Sequence, residues 1–348
     1  MRPRYLRGIA SYGDPTTGVA TLVQMRRSGK PEEARILVVG AGVNGSICAA
    51  RMCDAQIDVT LLARGQRADD VRSQGIVIED VLQGTRSVTR VPVIEELGPN
   101  DVYDYILVVV RKNQVGGLLP ILARNQTPNI VFMVNNPSGP GEWTAALGRN
   151  RVILGFVFGA GRREGAVIHG ISTLGSSLLG RLLRTPFGEL SGEITPRLTR
   201  LICIFHQAGL NAGVSKRIAE YLATHAVLVA VLASFAMARG IDRESVSRYT
   251  RADIFVLVNG MREALDVLRS NGIRITPPAI TLVKAVPRWF QVEALRAMFR
   301  SRFFEVGGVY HMSQAPDEMA QLIREVRSLV EKSGREAPAL RAVLGMAR

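Results

Sequence analysis

A chain of 348 residues with 47% hydrophobic and 21% charged residues has the composition of an ordinary soluble globular protein, large enough for two domains. Its formal charge of +14 raises the question of nucleic acid, but only five of the 44 basic residues are lysines. An arginine skew of this kind is more often a codon-usage bias of a GC-rich genome than a binding surface, and the basic residues are scattered without aromatic interleaving, so no base-stacking surface is expected. Three cysteines (Cys48, Cys53, Cys203) contain no C-x-x-C pair, which excludes a disulfide framework and fits a reducing cytoplasm.

Residues 1–34 read as an irregular extension, with "SYGDPTTG" and then the charged "MRRSGKPEEAR". No apolar core of secretory length occurs there, and Met25 is an alternative start. From Arg35 the pattern turns to α/β alternation. "RILVVG" predicts a strand, "VNGSICAARMCDA" a helix and "DVTLLA" a second strand. "DYILVVV" predicts a later strand, followed by a helix over "NQVGGLLPILARN". The continuous apolar runs "NIVFMV" and "RVILGFVF" predict buried parallel strands, and "GAVIHG" an added one. Beyond about residue 190, helical spacing takes over. The fold expected is therefore a Rossmann-type α/β domain over residues 35–195, followed by a mostly α-helical domain over 196–340. "YLATHAVLVAVLASFAMA" (Tyr221–Ala238) is nearly apolar enough to span a membrane, yet carries His225. A buried central helix, with no membrane association, is the expectation.

"ILVVGAGVNGSICAA" carries the strongest signal, because a strand, a G-x-G-x-x-G turn and a small-residue helix follow in the order that dinucleotide binding requires. Gly40 permits the turn, Gly42 lets backbone approach a pyrophosphate, and Gly45 allows close packing of helix on strand. The amides of Val43 and Asn44, at the helix start, then face the phosphates. The second strand ends "LLARGQR", with Arg64 where an NAD enzyme usually has Asp or Glu, and Arg67 close behind. A guanidinium can grip a 2′-phosphate that a carboxylate would repel. NADP(H) is the cofactor expected.

Together these residues resemble the ketopantoate reductase family, the NADPH-dependent 2-dehydropantoate 2-reductases of pantothenate biosynthesis. "VVGAGVNGS" with "LLAR" is similar to the family's opening fingerprint and its phosphate-binding arginine. "VVVRKNQV" is similar to a strand-end motif in which lysine precedes glutamine by three residues. Gln114 matches that glutamine, Arg111 takes the lysine position, and Lys112 lies one residue off. "MVNNPSGPGE" resembles an Asn-Gly-x-Gly turn, with Asn136 at the asparagine and Pro137 at the first glycine. "GAVIHG" and "SSLLG" look like the family's strands near the domain junction. The resemblance implies a cleft between the two domains, with Arg111, Lys112, Gln114 and Asn136 on the cofactor side and Asn136 also in the catalytic site. It further implies an oxo-acid or ketone substrate, and is compatible with a homodimer.

The catalytic half departs from the pattern. Where the family helix has a lysine and, four residues later, an asparagine, "SKRIAEYLATHAVLVAVL" has Tyr221 and His225. Lys216 precedes Tyr221 by five residues, and Glu305 is a weak counterpart of the family's later acidic residue. Reducing a ketone needs a donor beside the carbonyl oxygen. Tyr221 and His225, one turn apart on one helix face, can supply it; the alternative is that both are satisfied core groups. His169 reads as structural. His206 and His311 lack partners at metal-ligand spacing, so no metal is expected. A reductase of a small 2-oxo acid is the reading, and a non-catalytic NADP-binding sensor or partner module its rival.

Overall fold

The structure, a computed structural model, describes residues 34–346 except 82, 158 and 172–183, and only the backbone of residues 160, 303 and 311. Residues 1–33, the stretch "SSLLG" and the His311 side chain therefore lie outside the described residues. The first half is built on an eight-stranded sheet in the order β12-β11-β8-β7-β6-β1-β2-β5. Its strands are β1 (Arg35–Val39), β2 (Asp58–Leu62), β5 (Val93–Ile94), β6 (Tyr105–Val108), β7 (Ile130–Phe132), β8 (Val152–Gly155), β11 (Thr185–Glu189) and β12 (Ala212–Val214). All neighbours are parallel except β8 and β11. A smaller sheet, β4-β3-β10-β9, comprises β3 (Ile76–Asp80), β4 (Thr85–Thr89), β9 (Ala160–Glu164) and β10 (Val167–Ile171).

The central strand shows why this sheet forms. After exposed Arg35, Ile36, Leu37, Val38 and Val39 are all buried. Ile36 and Val38 face one core and Leu37 and Val39 the other, as a strand with helices on both sides requires. The helices of this half are α1 (Val43–Asp54), α2 (Gln66–Gln74), α3 (Val115–Arg124), α4 (Gly141–Leu147) and α5 (Pro196–Gln207). Small Gly45, Ser46, Ala49 and Ala50 bring α1 close to the sheet. Burial in that layer pushes the Cys48 thiol up to about 12, so it packs as an inert apolar group.

The sheet layer continues past residue 195. Helix α5 packs into the core under β1, and Ala212–Val214 adds an edge strand beside β11. A bidentate ion pair from Arg197 to buried Glu189, at 2.6 and 2.8 Å, fixes α5 to β11. Only from Ile218 is the chain wholly helical: α6 (Ile218–Arg239), α7 (Arg243–Ser247), α8 (Arg251–Ser270), α9 (Arg288–Phe299), α10 (Pro316–Ser333) and α11 (Pro338–Val343), with shorter turns between them.

Helix α6 joins the two halves physically. Ile218 and Leu222 belong to the sheet-side core with Phe132 and Trp143, whereas Ala223 onward belong to the helical core with residues of α8, α10 and α11. This explains its apolarity. It is long enough to cross a membrane by length and composition, with a window hydropathy of 1.9, but 56% of that window is already buried inside the protein. Two cores share one helix.

Candidate active site

The strand order reverses between β1 and β6, and ligands of open α/β sheets bind in the crevice beyond the strand ends at such a point. The loops after these two strands meet there. Gly40 has φ +111°, and a Cβ on it would stand 2.3 Å from the Val109 carbonyl oxygen. A Cβ on Gly45 would stand 1.9 Å from the Gly40 carbonyl oxygen. Both positions therefore exclude side chains. Gly42 is different, because a Cβ there would meet nothing within 4 Å. Close packing explains the outer two glycines, and open space above the turn remains at the middle one.

That space fits a pyrophosphate. Helix α1 starts at Gly42 with no side-chain cap, leaving its first amides, including those of Val43 and Asn44, for an anion. Asn44 Oδ1 is buried and has no hydrogen-bond partner among the described residues. Arg64 is exposed at the end of β2; its Nε donates to the Glu95 carbonyl at 3.4 Å, and its terminal nitrogens have no hydrogen bond among the described residues. Arg67 instead lies across the turn, donating to the Ala41 carbonyl and Ser46 Oγ at 3.1 Å and to the Ala166 carbonyl at 3.2 Å. It ties the glycine turn to the smaller sheet.

Across the crevice, a single 3-10 turn (Lys112–Gln114) follows β6. Gln114 Oε1 accepts from the Arg111 backbone N–H at 3.2 Å, so this side chain closes the turn on itself. Arg111 reaches away to α10, with Nη1 2.9 Å from Asp317 Oδ1 and Nη2 on the Gln314 carbonyl. Asn113 donates to the same carboxylate at 2.7 Å, and these two neighbours, Asn113 foremost, hold Asp317 below the usual carboxylate range. Lys112 turns inward. Its Nζ donates to Asn136 Oδ1 at 3.0 Å and lies 4.9 Å from the centroid of the Trp143 ring.

Glu318, in the first turn of α10 and only 3% exposed, completes this wall. Its Oε1 accepts from the Lys112 backbone N–H at 3.3 Å and from Asn135 Nδ2 at 3.4 Å. Ser138 donates to Glu325, two turns further along α10. The helical half is thus fastened to the strand-end loops by three carboxylates from one helix. Sequence reading misses Glu318 because its partners lie 206 and 183 residues away and no local motif marks it.

Tyr221 and His225 stand where α6 passes from one core to the other. Their rings lie 6.4 Å apart and nearly parallel, at 7°, as the i,i+4 spacing predicts. The His225 ring packs 4.2 Å from that of Phe156, the residue after β8, so the pair sits at the same strand-end edge as the glycine turn and Asn136. Other candidates are placed elsewhere. Glu305 pairs with Arg243 at 3.0 Å, Lys216 is exposed before α6, and His169 lies between Glu79 and Glu164 at 3.1 and 3.4 Å. His206 is half-buried on α5, and desolvation pulls its pKa down. Among the described residues no group of three His, Cys, Asp or Glu is arranged to hold a metal ion.

Residues 36–182 match the family model described as ketopantoate reductase PanE/ApbA. Over that span, less than half of the chain, the sequence is similar to the ketopantoate reductase family. No curated protein matches the sequence. Among solved structures, 2-dehydropantoate 2-reductase from Methylococcus capsulatus is similar at 20% identity and TM-score 0.67, covering 89% of this chain and 94% of the other. D-mandelate dehydrogenase in a ternary structure with NADH and anilino(oxo)acetate is similar at 13% identity and TM-score 0.69, covering 89% and 96%. Dimeric ketopantoate reductase from Staphylococcus aureus is similar at 12% identity and TM-score 0.63, again covering 89% and 96%. At such identities the likeness is one of fold, and it reaches over both halves of the chain.

Proposed function

We propose that this chain is an NADPH-dependent reductase of a small 2-oxo acid or ketone, of the 2-dehydropantoate 2-reductase type, acting in the crevice between sheet and helices. The observation that carries the reading is the glycine turn, closed at Gly40 and Gly45 and open at Gly42. The first amides of α1 would hold the pyrophosphate, and Arg64, with its terminal nitrogens uncommitted, the 2′-phosphate. Asn136 and Lys112 would stand beside the nicotinamide end. A neighbouring fold binds NADH, as its D-mandelate dehydrogenase structure states, so the preference for NADPH rests on Arg64 alone.

When bound, the reduced nicotinamide supplies the hydride. The chain's own contribution is a proton donor at the carbonyl oxygen, where negative charge develops. Tyr221 donates its hydroxyl proton there, and His225, one turn along, relays or stabilises that charge. The rival reading, a dinucleotide-binding module without turnover, draws on the resemblance, which implies a lysine at the helix position taken here by Tyr221. Titrating the parent and Gly42→Ala with NADPH tests the cofactor site. An unchanged melting temperature with at least about tenfold weaker binding is expected for the variant, since its methyl group blocks only the open space. Equal affinity would remove the pyrophosphate from this turn.

A further inference from the structure

Large apolar side chains are exposed together in one region of the helical half. Leu282 and Val283 lie near the end of the 3-10 turn Pro278–Lys284, and Trp289 and Phe290 open α9. Leu282 is 65% exposed, Trp289 69% and Phe290 54%. The backbone beneath them is held in place. Arg262 donates to the Val283 and Lys284 carbonyls at 3.1 and 2.9 Å, and Gln291 to those of Val283 and Val286 at 2.7 Å. Along α9, Phe290 shares its face with exposed Ala294 and Ala297, one and two turns on. Two ties, Arg251 to Glu293 at 2.6 Å and Arg288 to Asn259 at 2.9 Å, hold α9 along α8. Phe255, 45% exposed, lies one turn from both Arg251 and Asn259 and extends the patch onto α8. Contiguous apolar exposure of this kind marks an interaction surface.

The charge around this patch selects its partner. From Arg274 to Arg302 the sequence has six basic residues and one acidic residue, Glu293. Arg274, Arg288, Arg300 and Arg302 are exposed, and none has an acidic partner among the described residues. A second copy would bring the same cations against these, which opposes self-association. Single-stranded nucleic acid would use the arginines and the rings, but it leaves the aliphatic Leu282 and Val283 in water. An anionic bilayer uses all of them. Its headgroups take the cations, and its interface takes the aromatic and aliphatic side chains. We infer that this face binds reversibly to membranes that carry anionic lipid, with Trp289 and Phe290 entering the headgroup boundary. Helix α6 takes no part, since most of its apolar stretch is packed inside the protein. The absence of membrane association expected from α6 therefore does not extend to this face. The inference is independent of the dinucleotide reading.

The chain has two tryptophans and Trp143 is fully buried, so a fluorescence change on lipid binding reports Trp289. The full chain should sediment with vesicles of equal parts phosphatidylcholine and phosphatidylglycerol at least about tenfold more tightly than with phosphatidylcholine alone. High salt should weaken that binding, and brominated acyl chains should quench Trp289. Replacing both rings, Trp289→Ser with Phe290→Ser, should lower vesicle affinity at least about tenfold with the melting temperature unchanged. Leu282→Ser, on the separate turn, should lower it several-fold and decides the matter should the double variant not fold. No preference for the anionic vesicles, no quenching, or parent-like binding by these variants would overturn the proposal. Dimerisation of the parent that the double variant loses would assign the face to a second copy. Tighter binding of a single-stranded oligonucleotide than of vesicles, lost in the same way, would assign it to nucleic acid. Either result overturns the proposal.

Discussion

The glycine turn and the wall that faces it are held by different kinds of force. At the turn, backbone meets backbone, and the fit is decided by where a Cβ cannot go: 1.9 Å from a carbonyl at Gly45, against open space at Gly42. On the facing wall, side chains do the positioning. Lys112, Asn135 and Asn113 are set by Glu318 and Asp317 on a helix from the far end of the chain. Backbone constraint leaves few residue choices, whereas a side-chain network can be rebuilt with different members. The turn therefore keeps a general cofactor geometry, and the wall is where a divergent chain can acquire a new substrate.

The largest effect should come from violating the turn. Gly45→Ala places a methyl group against the Gly40 carbonyl oxygen and carbon, at 1.9 and 3.1 Å, with only backbone to give way. A destabilisation of about 3 kcal/mol or more is expected, read by denaturant unfolding, together with loss of dinucleotide binding. Mild destabilisation with normal binding would mean that α1 can shift away and that the turn is not rigid.

On helix α6, where side chains also do the positioning, altered chemistry without unfolding is expected. Tyr221→Phe should lower turnover by ~10²-fold or more, the scale for losing a positioned acid, with NADPH affinity nearly unchanged. His225→Ala should shift the pH profile of turnover. Lost stability with turnover intact would instead make the pair core polar groups. A smaller effect is expected at the mouth of the crevice. Arg64→Ala should weaken NADPH binding by about tenfold and leave NADH binding nearly unaltered, because an exposed guanidinium contributes one charge-assisted grip. Equal losses for both cofactors would show that Arg64 does not contact the 2′-phosphate.

The same contrast explains what was legible in the sequence. The three glycines, the strand before them and the arginine after β2 are local, and each has one physical reason to be there. The strand-end loop was legible only in part, since the spacing to Gln114 cannot tell which of Arg111 and Lys112 turns inward. That is settled by Asp317, which draws Arg111 toward α10. Glu318 and the tie from Arg67 to Ala166 have no local signature. The domain edge expected near residue 195 falls short of the sheet's end at Val214. A helix that returns to a sheet, such as α5, has the same apolar spacing as one that opens a helical domain, and three residues of edge strand carry almost no pattern. Helix α6 reads as apolar all round because it serves two cores, so its spacing does not reveal which face Tyr221 and His225 share with the crevice.

Reductase activity is the central claim, and the most direct measurement is turnover itself. The purified full chain, mixed with NADPH or NADH and a panel of small 2-oxo acids including 2-dehydropantoate, should oxidise the cofactor with at least one acid, and faster with NADPH. Product should form in equal amount. Stoichiometric binding of NADPH with no oxidation across the panel would contradict the account and leave a dinucleotide-binding module in its place.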